Sequence, residues 1–136
     1  MIFEVMWGGY YTSLQDDETW SIFRLLDFNR EALHATLYRQ RFNSQPVMEH
    51  VALLDTAVAH APIAPGQVVH FPATLIGAQP LTLEDLAGYD TYLQAALELE
   101  VGERTTLLDK LIGFSAQPPL SFRMEIDSAG DLLFEQ

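Results

Sequence analysis

Histidines are the residues of this chain best suited to acid–base chemistry or metal binding near neutral pH. The chain has four, and they are His34, His50, His60 and His70. A metal site on a helix needs ligands three or four residues apart, but consecutive histidines here are separated by 16, 10 and 10 residues. This spacing is typical of surface or core histidines, and the sequence predicts no metal site.

Motifs for nucleophilic catalysis and phosphate binding are also missing. Gly113-Phe114-Ser115 has the first half of the G-x-S-x-G motif, but Gln117 stands where the second glycine belongs. The chain contains no cysteine, no Walker A loop and no G-x-G-x-x-G fingerprint. The sequence therefore predicts no catalytic residue and no cofactor.

Carboxylates are the most abundant charged groups, and their distribution is uneven. Between residues 42 and 103 the chain has eight of them and neither Lys nor Arg, and the formal net charge of the whole chain is −12. A field of this sign attracts basic surfaces and disfavours direct nucleic-acid binding. The sequence predicts a surface for a basic protein partner where the acids are most concentrated, at Glu84, Asp85, Asp90, Glu98, Glu100 and Glu103.

The arginines concentrate nearer the N-terminus. Four of them, Arg24, Arg30, Arg39 and Arg41, fall within 18 residues. One interpretation is that they pair with acids inside the protein. The other is an anion site, because guanidinium groups suit a carboxylate or a phosphate. The candidate residues of this second site are Arg30, His34, Arg41, Tyr10 and Tyr11.

The elements that must position these side chains begin with a predicted hairpin. Residues 2–7 and 20–26 are rich in β-branched, aromatic and aliphatic residues, and polar residues 15–18 lie between them. Gly8-Gly9 indicates a bulge or the end of the first strand. We expect Trp7 and Trp20 in the core, and Tyr10 and Tyr11 in an exposed patch beside the turn.

Two helices are predicted next. Asn29 is a suitable N-cap, and Phe28 and Leu33 have the spacing of a hydrophobic staple, so a helix is expected over residues 29–42. Its pattern places Arg30, His34 and Arg41 on one side. A second helix is expected over residues 46–59. Residues 65–66 predict a type II turn before a strand over residues 67–71, and residues 73–81 remain unassigned.

Helical signals return at Thr82. Residues 82–85 match the capping pattern in which the first and last side chains accept each other's backbone N–H groups, and a helix is expected from there to about residue 101. The alternation of apolar and acidic residues over 97–101 is the competing sign of a strand. A shorter helix is expected over residues 106–112, closed by Gly113.

The final third contains the clearest strand. Residues 120–126 alternate strictly between apolar and polar side chains, and residues 131–135 are predicted to return as the second arm of a hairpin. Strands at both ends with helices between them predict an α+β fold. We expect an antiparallel sheet built from N- and C-terminal hairpins, with three to four helices packed mainly on one face, in a single globular domain over residues 1–136.

Composition bears on location. A chain with 49% hydrophobic and 19% charged residues is typical of a globular protein. No run of 18 apolar residues occurs, and the apolar N-terminus contains Glu4 but no preceding basic residue, so neither a membrane span nor a signal peptide is expected. Because the chain needs no disulfide, we expect a soluble, cytoplasmic protein.

These patterns favour binding over catalysis. The first hypothesis is a non-enzymatic protein-binding module for a basic partner, such as a bacterial toxin-neutralising (immunity-type) protein. The alternative is a small enzyme or ligand-binding domain, with a cleft between sheet and helices that uses His34 and nearby arginines. A homo-oligomer, in which self-association covers apolar surface, is a third interpretation.

Overall fold

The predicted α+β class is confirmed in a computed structural model that describes residues 2–127, 129–130 and 132–134. The strands form two antiparallel sheets instead of one. The large sheet has the order β5-β4-β3-β2-β6, and the small sheet has the order β1-β7-β8. The strands are β1 (Ile2–Met6), β2 (Gly9–Leu14), β3 (Trp20–Phe28), β4 (Leu33–Tyr38), β5 (Thr56–Ile63), β6 (Thr74–Ala78), β7 (Ser121–Ile126) and β8 (Leu132–Phe134); the helices are a 3₁₀ helix (Met48–Leu53), α1 (Pro65–His70), α2 (Ala87–Leu97) and α3 (Val101–Ser115).

The small sheet joins the N-terminal and C-terminal strands. β1 pairs with β7, so that Phe3 lies opposite Met124, and β7 pairs with β8. The alternation over residues 120–126 thus predicted a strand correctly, because Met124 and Ile126 enter the core while their neighbours stay exposed. The C-terminal hairpin is confirmed at β8, and the predicted outer residues of its second arm, Asp131 and Glu135, lie outside the described residues.

The predicted N-terminal hairpin has a different first arm. β2, and not β1, pairs with β3, with Tyr10 opposite Arg24. The chain crosses from the small sheet to the large sheet at Gly8, whose φ is 77°. A Cβ atom at this position would overlap the carbonyl oxygen of Gln79. The glycine pair that indicated a strand end therefore marks the crossing between the sheets.

The helix predicted over residues 29–42 is wrong, because this segment contains β4. Asn29 Oδ1 accepts the backbone N–H groups of Glu31 and Ala32 at 2.8 and 3.0 Å, but it thereby closes a turn between β3 and β4. Residues 33–36 are all buried, since both faces of β4 are covered. A strand buried on both faces lacks the alternation that would identify it in the sequence.

The predictions between residues 46 and 71 are also wrong. The helix expected over residues 46–59 is replaced by the 3₁₀ helix and by β5, which pairs with β4. The expected turn at residues 65–66 and the strand over 67–71 are replaced by α1, which starts at Pro65. Proline suits the first helical position, where a backbone N–H would have no helical partner. From the unassigned segment, Thr74–Ala78 forms the edge strand β6 beside β2.

The capping pattern at Thr82 is confirmed by its hydrogen bonds. Asp85 Oδ2 accepts the Thr82 N–H at 2.9 Å, and Thr82 Oγ1 accepts the Asp85 N–H at 3.2 Å. The helix itself begins only at Ala87, after a turn over residues 83–86, and α2 ends at Leu97, where Glu98 adopts a left-handed φ of 55°. Residues 98–100 link α2 to α3, so neither the helix expected to continue to residue 101 nor the competing strand forms there. α3 is longer than the helix expected over 106–112, and Gly113 lies inside it.

The large sheet lies between two hydrophobic cores. Leu25 and Leu26 are neighbours on β3 and both are fully buried, yet they belong to different cores. Leu25 packs with the small sheet and with Val68 of α1, whereas Leu26 packs with α2 and α3. The two long helices thus share one side of the large sheet, and α1 joins the other. None of the helices in the described part of the chain has the length and apolar character needed to cross a lipid bilayer.

Candidate functional site

The predicted acidic residues lie in the turn before α2, in α2 itself and around the link between α2 and α3. Between the helices, Leu99 turns inward to the core, and its carbonyl accepts a hydrogen bond from Arg104 Nη1 at 2.8 Å. The flanking Glu98 and Glu100 are left exposed. We call this surface, together with the turn before α2, the acidic tip; its residues are Leu83, Glu84, Leu97, Glu98, Glu100, Val101 and Glu103.

Large apolar side chains are exposed among these carboxylates. Leu83, Leu97 and Val101 are 62%, 53% and 67% exposed, respectively. Leu83 and Val101 are distant in sequence but line one cavity of about 220 Å³ together with the buried Leu108. Its other lining residues are polar or charged: Asp90, Arg104, Thr105 and Asp109. The acidic tip therefore exposes apolar and negatively charged side chains in the same two segments.

Two of the six predicted partner-binding acids are engaged inside the protein. Asp85 forms a salt bridge with Arg24 at 3.1 Å, and Asp90 forms one with Arg104 at 2.8 Å. Arg24 is only 5% exposed, and its guanidinium group also donates to the carbonyls of residues 8, 79 and 80. Asp85 thus links the turn before α2 to the large sheet, and Asp90 links α2 to α3. Among the described residues, the other four acids have no ion-pair partner within 4 Å.

Those four acids are Glu84, Glu98, Glu100 and Glu103, and all of them are exposed. An exposed carboxylate without a partner remains hydrated and is available to an approaching cation. The distribution of acids along the sequence predicted this concentration of charge. It could not distinguish the paired acids from the unpaired ones, because Arg24 is brought to Asp85 only by the tertiary fold.

The five residues predicted for an anion site do not come together. Tyr10 and Tyr11 are buried at 4% and 1% exposure, so the exposed aromatic patch expected there is wrong. The Tyr10 ring lies 4.9 Å from the Arg24 guanidinium carbon. The Tyr11 hydroxyl donates to the Glu4 carbonyl at 2.6 Å and accepts the Met6 N–H at 3.0 Å. Both tyrosines therefore act in packing.

His34 lies in a buried aromatic cluster that the sequence did not indicate. Its Nδ1 is 2.8 Å from His60 Nε2, and its Nε2 is 3.3 Å from Asn29 Nδ2. Tyr89 and Tyr92 of α2 pack against both imidazole rings, with centroid distances between 4.4 and 5.4 Å. Burial, together with the charge that His34 would carry, lowers the pKa of His60 to about 4, and burial lowers the pKa of His34. Both rings are therefore neutral near pH 7.

A carboxylate that was not predicted as a site residue belongs to the same region. Asp27 Oδ2 accepts a hydrogen bond from the Tyr89 hydroxyl at 2.7 Å. Burial raises the pKa of Asp27, although this hydrogen bond and the nearby Trp7 indole oppose the rise. Trp7 Nε1 itself reaches hydrogen-bond geometry with no atom of the described residues. The contacts fix α2 on the sheet, and they give this cluster a structural role.

Comparisons with protein-family models, with curated proteins and with solved structures each find no match to this chain. Within the described residues, no three His, Asp or Glu side chains come close enough to hold a metal ion.

Arg41 and Arg30 are separated as well. Arg30 is exposed in the turn after β3, whereas Arg41 lies beyond β4 at the mouth of a cavity between the large sheet and α1. We call this cavity the Arg41 cleft. It has a volume of about 500 Å³ and is also lined by Ser13, Gln15 and Ser21. These polar residues had no sequence signal, because residues 9–14 were not predicted as a strand that would place Ser13 opposite Ser21.

Proposed function

We propose that this protein is a non-enzymatic binding module whose acidic tip binds a basic protein partner. The observation that supports the proposal is that the exposed Leu83, Leu97 and Val101 lie in the same two segments as four unpaired glutamates, and that Leu83 and Val101 line one groove. Scattered exposed leucines are normal on protein surfaces and need no explanation. An apolar groove rimmed with polar residues is the pattern of an interaction site.

The two kinds of side chain have different roles in this proposal. Removal of Leu83, Leu97 and Val101 from water supplies affinity, since buried apolar groups dominate binding energy at the centre of an interface. The glutamates at the rim accelerate encounter with a cationic surface and disfavour acidic partners. The expected ligand is thus an amphipathic segment with apolar residues on one face and Lys or Arg beside them.

Self-association through the same surface is the weaker alternative. Two acidic tips facing each other would bring like charges together at the rim, and like-charge contacts across an interface cost free energy. Light scattering at low and high salt separates the two ideas. Dimerisation that strengthens with salt would favour self-association, whereas a monomer under both conditions favours a basic partner.

The most concrete form of the proposal is a toxin-neutralising, immunity-type protein. Inhibitors of cationic toxins use complementary fields to capture their targets quickly. This form is tested by co-expression with any basic toxin encoded by a neighbouring gene. Restored growth supports it, and continued toxicity despite soluble expression rejects neutralisation of that toxin.

A binding titration tests the acidic tip directly. The ligand is a fluorescent synthetic peptide with Lys and Leu at amphipathic helical spacing, and a scrambled peptide of the same composition reports charge alone. We compare the wild type with a Glu98→Lys, Glu100→Lys, Glu103→Lys variant. Asp90 is excluded from this set because its pairing with Arg104 would confuse stability with binding.

A matched variant controls for net charge. Asp16, Glu31 and Glu49 are exposed and line neither described cavity, so their reversal to Lys changes the total charge equally. We expect reversal at the acidic tip to weaken amphipathic-peptide binding about tenfold and the control to weaken it about twofold or less. Two results would indicate attraction by net charge instead of a defined surface. One is an equal loss of peptide affinity in the two triple variants, and the other is equal affinity of the wild type for the amphipathic and the scrambled peptide.

A further inference from the structure

The Arg41 cleft differs from the rest of the molecule in charge. It opens between the large sheet and α1, and no Asp or Glu side chain lines it among the described residues. This is unexpected in a chain with 19 acidic residues and seven basic ones. The charged residue at the cleft is Arg41, which has no carboxylate within 4 Å in the described part of the chain. A cavity of about 500 Å³ also falls within the range typical of small-molecule sites.

Polar groups gather at one end of the cleft. Ser13 lies opposite Ser21 in the β2–β3 ladder, and Trp20 bridges to Phe42, which brings Arg41 to the same end of the sheet. The Arg41 charge also contributes to the lowered pKa of Asp17 in the β2–β3 turn, after the larger effect of hydrogen bonds from Thr19. The guanidinium group and the two serines therefore border the same end.

The two serines leave a donor free. Gln15 Nε2 donates to Ser13 Oγ at 2.9 Å and to Ser21 Oγ at 3.0 Å, and the two Oγ atoms are 3.4 Å apart. Only one of the two hydroxyl protons can lie between the two Oγ atoms. The other hydroxyl proton therefore has no acceptor among the described residues. Ser13 is only 5% exposed. This proton, on whichever serine carries it, can be donated to a ligand in the cleft that accepts a hydrogen bond.

The remainder of the cleft is apolar. The lining includes Phe23 and Leu37 of the large sheet, Val68 of α1 and Phe71 directly after α1, and Ile63 at the end of β5. Phe23 and Val68 are buried members of the adjacent core, so these walls are fixed by packing. An apolar cavity with hydrogen-bond donors and one cation at its end suits a ligand with an apolar body and an anionic head.

We propose that the Arg41 cleft binds a small amphipathic carboxylate, with the carboxylate at Arg41 and the Ser13–Ser21 pair and the apolar chain against Phe23, Leu37 and Val68. Binding forms no covalent bond and requires no metal. This site is independent of the acidic tip, since the two surfaces share no residue. The protein would then hold an anionic small molecule on one surface while a cationic protein binds another.

The test follows the methyl signals of Leu37, Ile63 and Val68 by NMR during titration with decanoate below its micelle concentration. Decanol and decyltrimethylammonium have the same chain with a neutral or a cationic head. We expect saturable shifts with decanoate, about tenfold weaker binding of decanol, and no binding of the cation. No saturable shift with decanoate, or equal affinity for all three compounds, would overturn the proposal.

Two variants locate the site. Arg41→Gln is an exposed substitution that should reduce decanoate affinity to the level of decanol, while Arg123→Gln, an exposed arginine of the small sheet, should leave it unchanged. Ala57→Trp places a large ring at the exposed rim of the cleft and should abolish binding of both compounds. Unchanged decanoate affinity in Arg41→Gln contradicts the assignment. The triple reversal at the acidic tip should bind decanoate like the wild type, so the two proposals can fail separately.

Discussion

The acidic tip and the Arg41 cleft differ in charge and in size. The acidic tip exposes Leu83 and Val101 at a groove of about 220 Å³ and carries unpaired glutamates. The Arg41 cleft is more than twice as large, is bordered by one arginine and has no described carboxylate in its lining. The exposed apolar and acidic groups of the tip suit a basic macromolecule, and the larger cleft suits a small anion.

This difference shows that the net charge of the chain describes neither surface well. A formal charge of −12 is compatible with a local site for an anion, because exposed charges more than about 10 Å away are largely screened at physiological salt. Local pairing decides the rest. Asp85 belongs to the acidic run in sequence but is held by the buried Arg24, so it contributes to the fold instead of the surface field.

The largest effect on stability is expected from the removal of Arg24. Arg24→Leu leaves Asp85 without its partner and three backbone carbonyls without their donor. We expect the free energy of unfolding to fall by about 3–5 kcal/mol, since breaking a buried ion pair leaves uncompensated polar groups. Urea denaturation measures the loss. Arg123→Leu, at an exposed position, is the control, and an equal effect there would argue against a structural role for the Arg24–Asp85 pair.

A substitution at Gly88 tests whether the close seating of α2 on β5 is required. A Cβ atom at Gly88 would lie 2.7 Å from the Cβ of Ala59, so Gly88→Val must push the helix away from the strand. We expect a loss of about 2 kcal/mol in unfolding free energy. Gly102→Val is the matched control, because a Cβ built there meets no described atom within 4 Å outside its own stretch of helix. Equal melting temperatures of the two variants in thermal unfolding would contradict this packing.

The His34–His60 pair predicts a pH dependence of stability. The pKa of His60 falls to about 4 in the folded protein, below its ordinary value of about 6.5. The unfolded chain thus binds a proton that the folded protein excludes, and stability is lost as the pH falls from 6.5 towards 4.

His60→Phe should retain the ring packing and remove this proton. His60 is only partly buried, so the expected effect is small. Between pH 6.5 and pH 4, the unfolding free energy of the His60→Phe variant should fall by about 1 kcal/mol less than that of the wild type. Urea titrations at several pH values measure the difference. A His60→Phe curve that follows the wild type would refute the assignment.

The smallest effect on stability is expected at the acidic tip itself. Leu97→Ser together with Val101→Ser should change the unfolding free energy by less than about 0.5 kcal/mol, because both side chains are already exposed. The same variant should bind the amphipathic peptide about fivefold more weakly, since its apolar contacts are lost. Leu14→Ser, another exposed leucine, should leave peptide affinity unchanged. If this variant loses stability but keeps its affinity for the peptide, Leu97 and Val101 support the fold and do not bind the peptide.

The sequence predicted elements correctly where local signals and tertiary structure agree. Thr82 and Asp85 cap each other as their spacing indicated, and residues 120–126 alternate because one side of β7 is exposed. Asn29 misled the prediction because the same side-chain oxygen can cap a helix or close a hairpin turn. β4 had no alternation to correct this error, since residues 33–36 are buried on both faces.

The two surfaces differed in how far the sequence could predict them. Four glutamates of the acidic tip are visible as a concentration of acids along the sequence, and their role in partner binding stays a prediction. The Arg41 cleft requires Ser13, Ser21 and Arg41 to meet across three different parts of the sheet. Such a meeting depends on strand register, which no local pattern in this chain specified.

The central claim is that a basic partner binds at the acidic tip and not wherever negative charge is found. The most direct measurement is an NMR titration of the wild-type protein with the amphipathic Lys–Leu peptide, following every backbone amide at moderate salt. We predict shifts concentrated at residues 83–84 and 97–105, with the amides around the Arg41 cleft unchanged. Shifts spread over Asp16, Glu31, Glu49 and the other exposed acids, or none at Leu97 and Val101, would contradict the account.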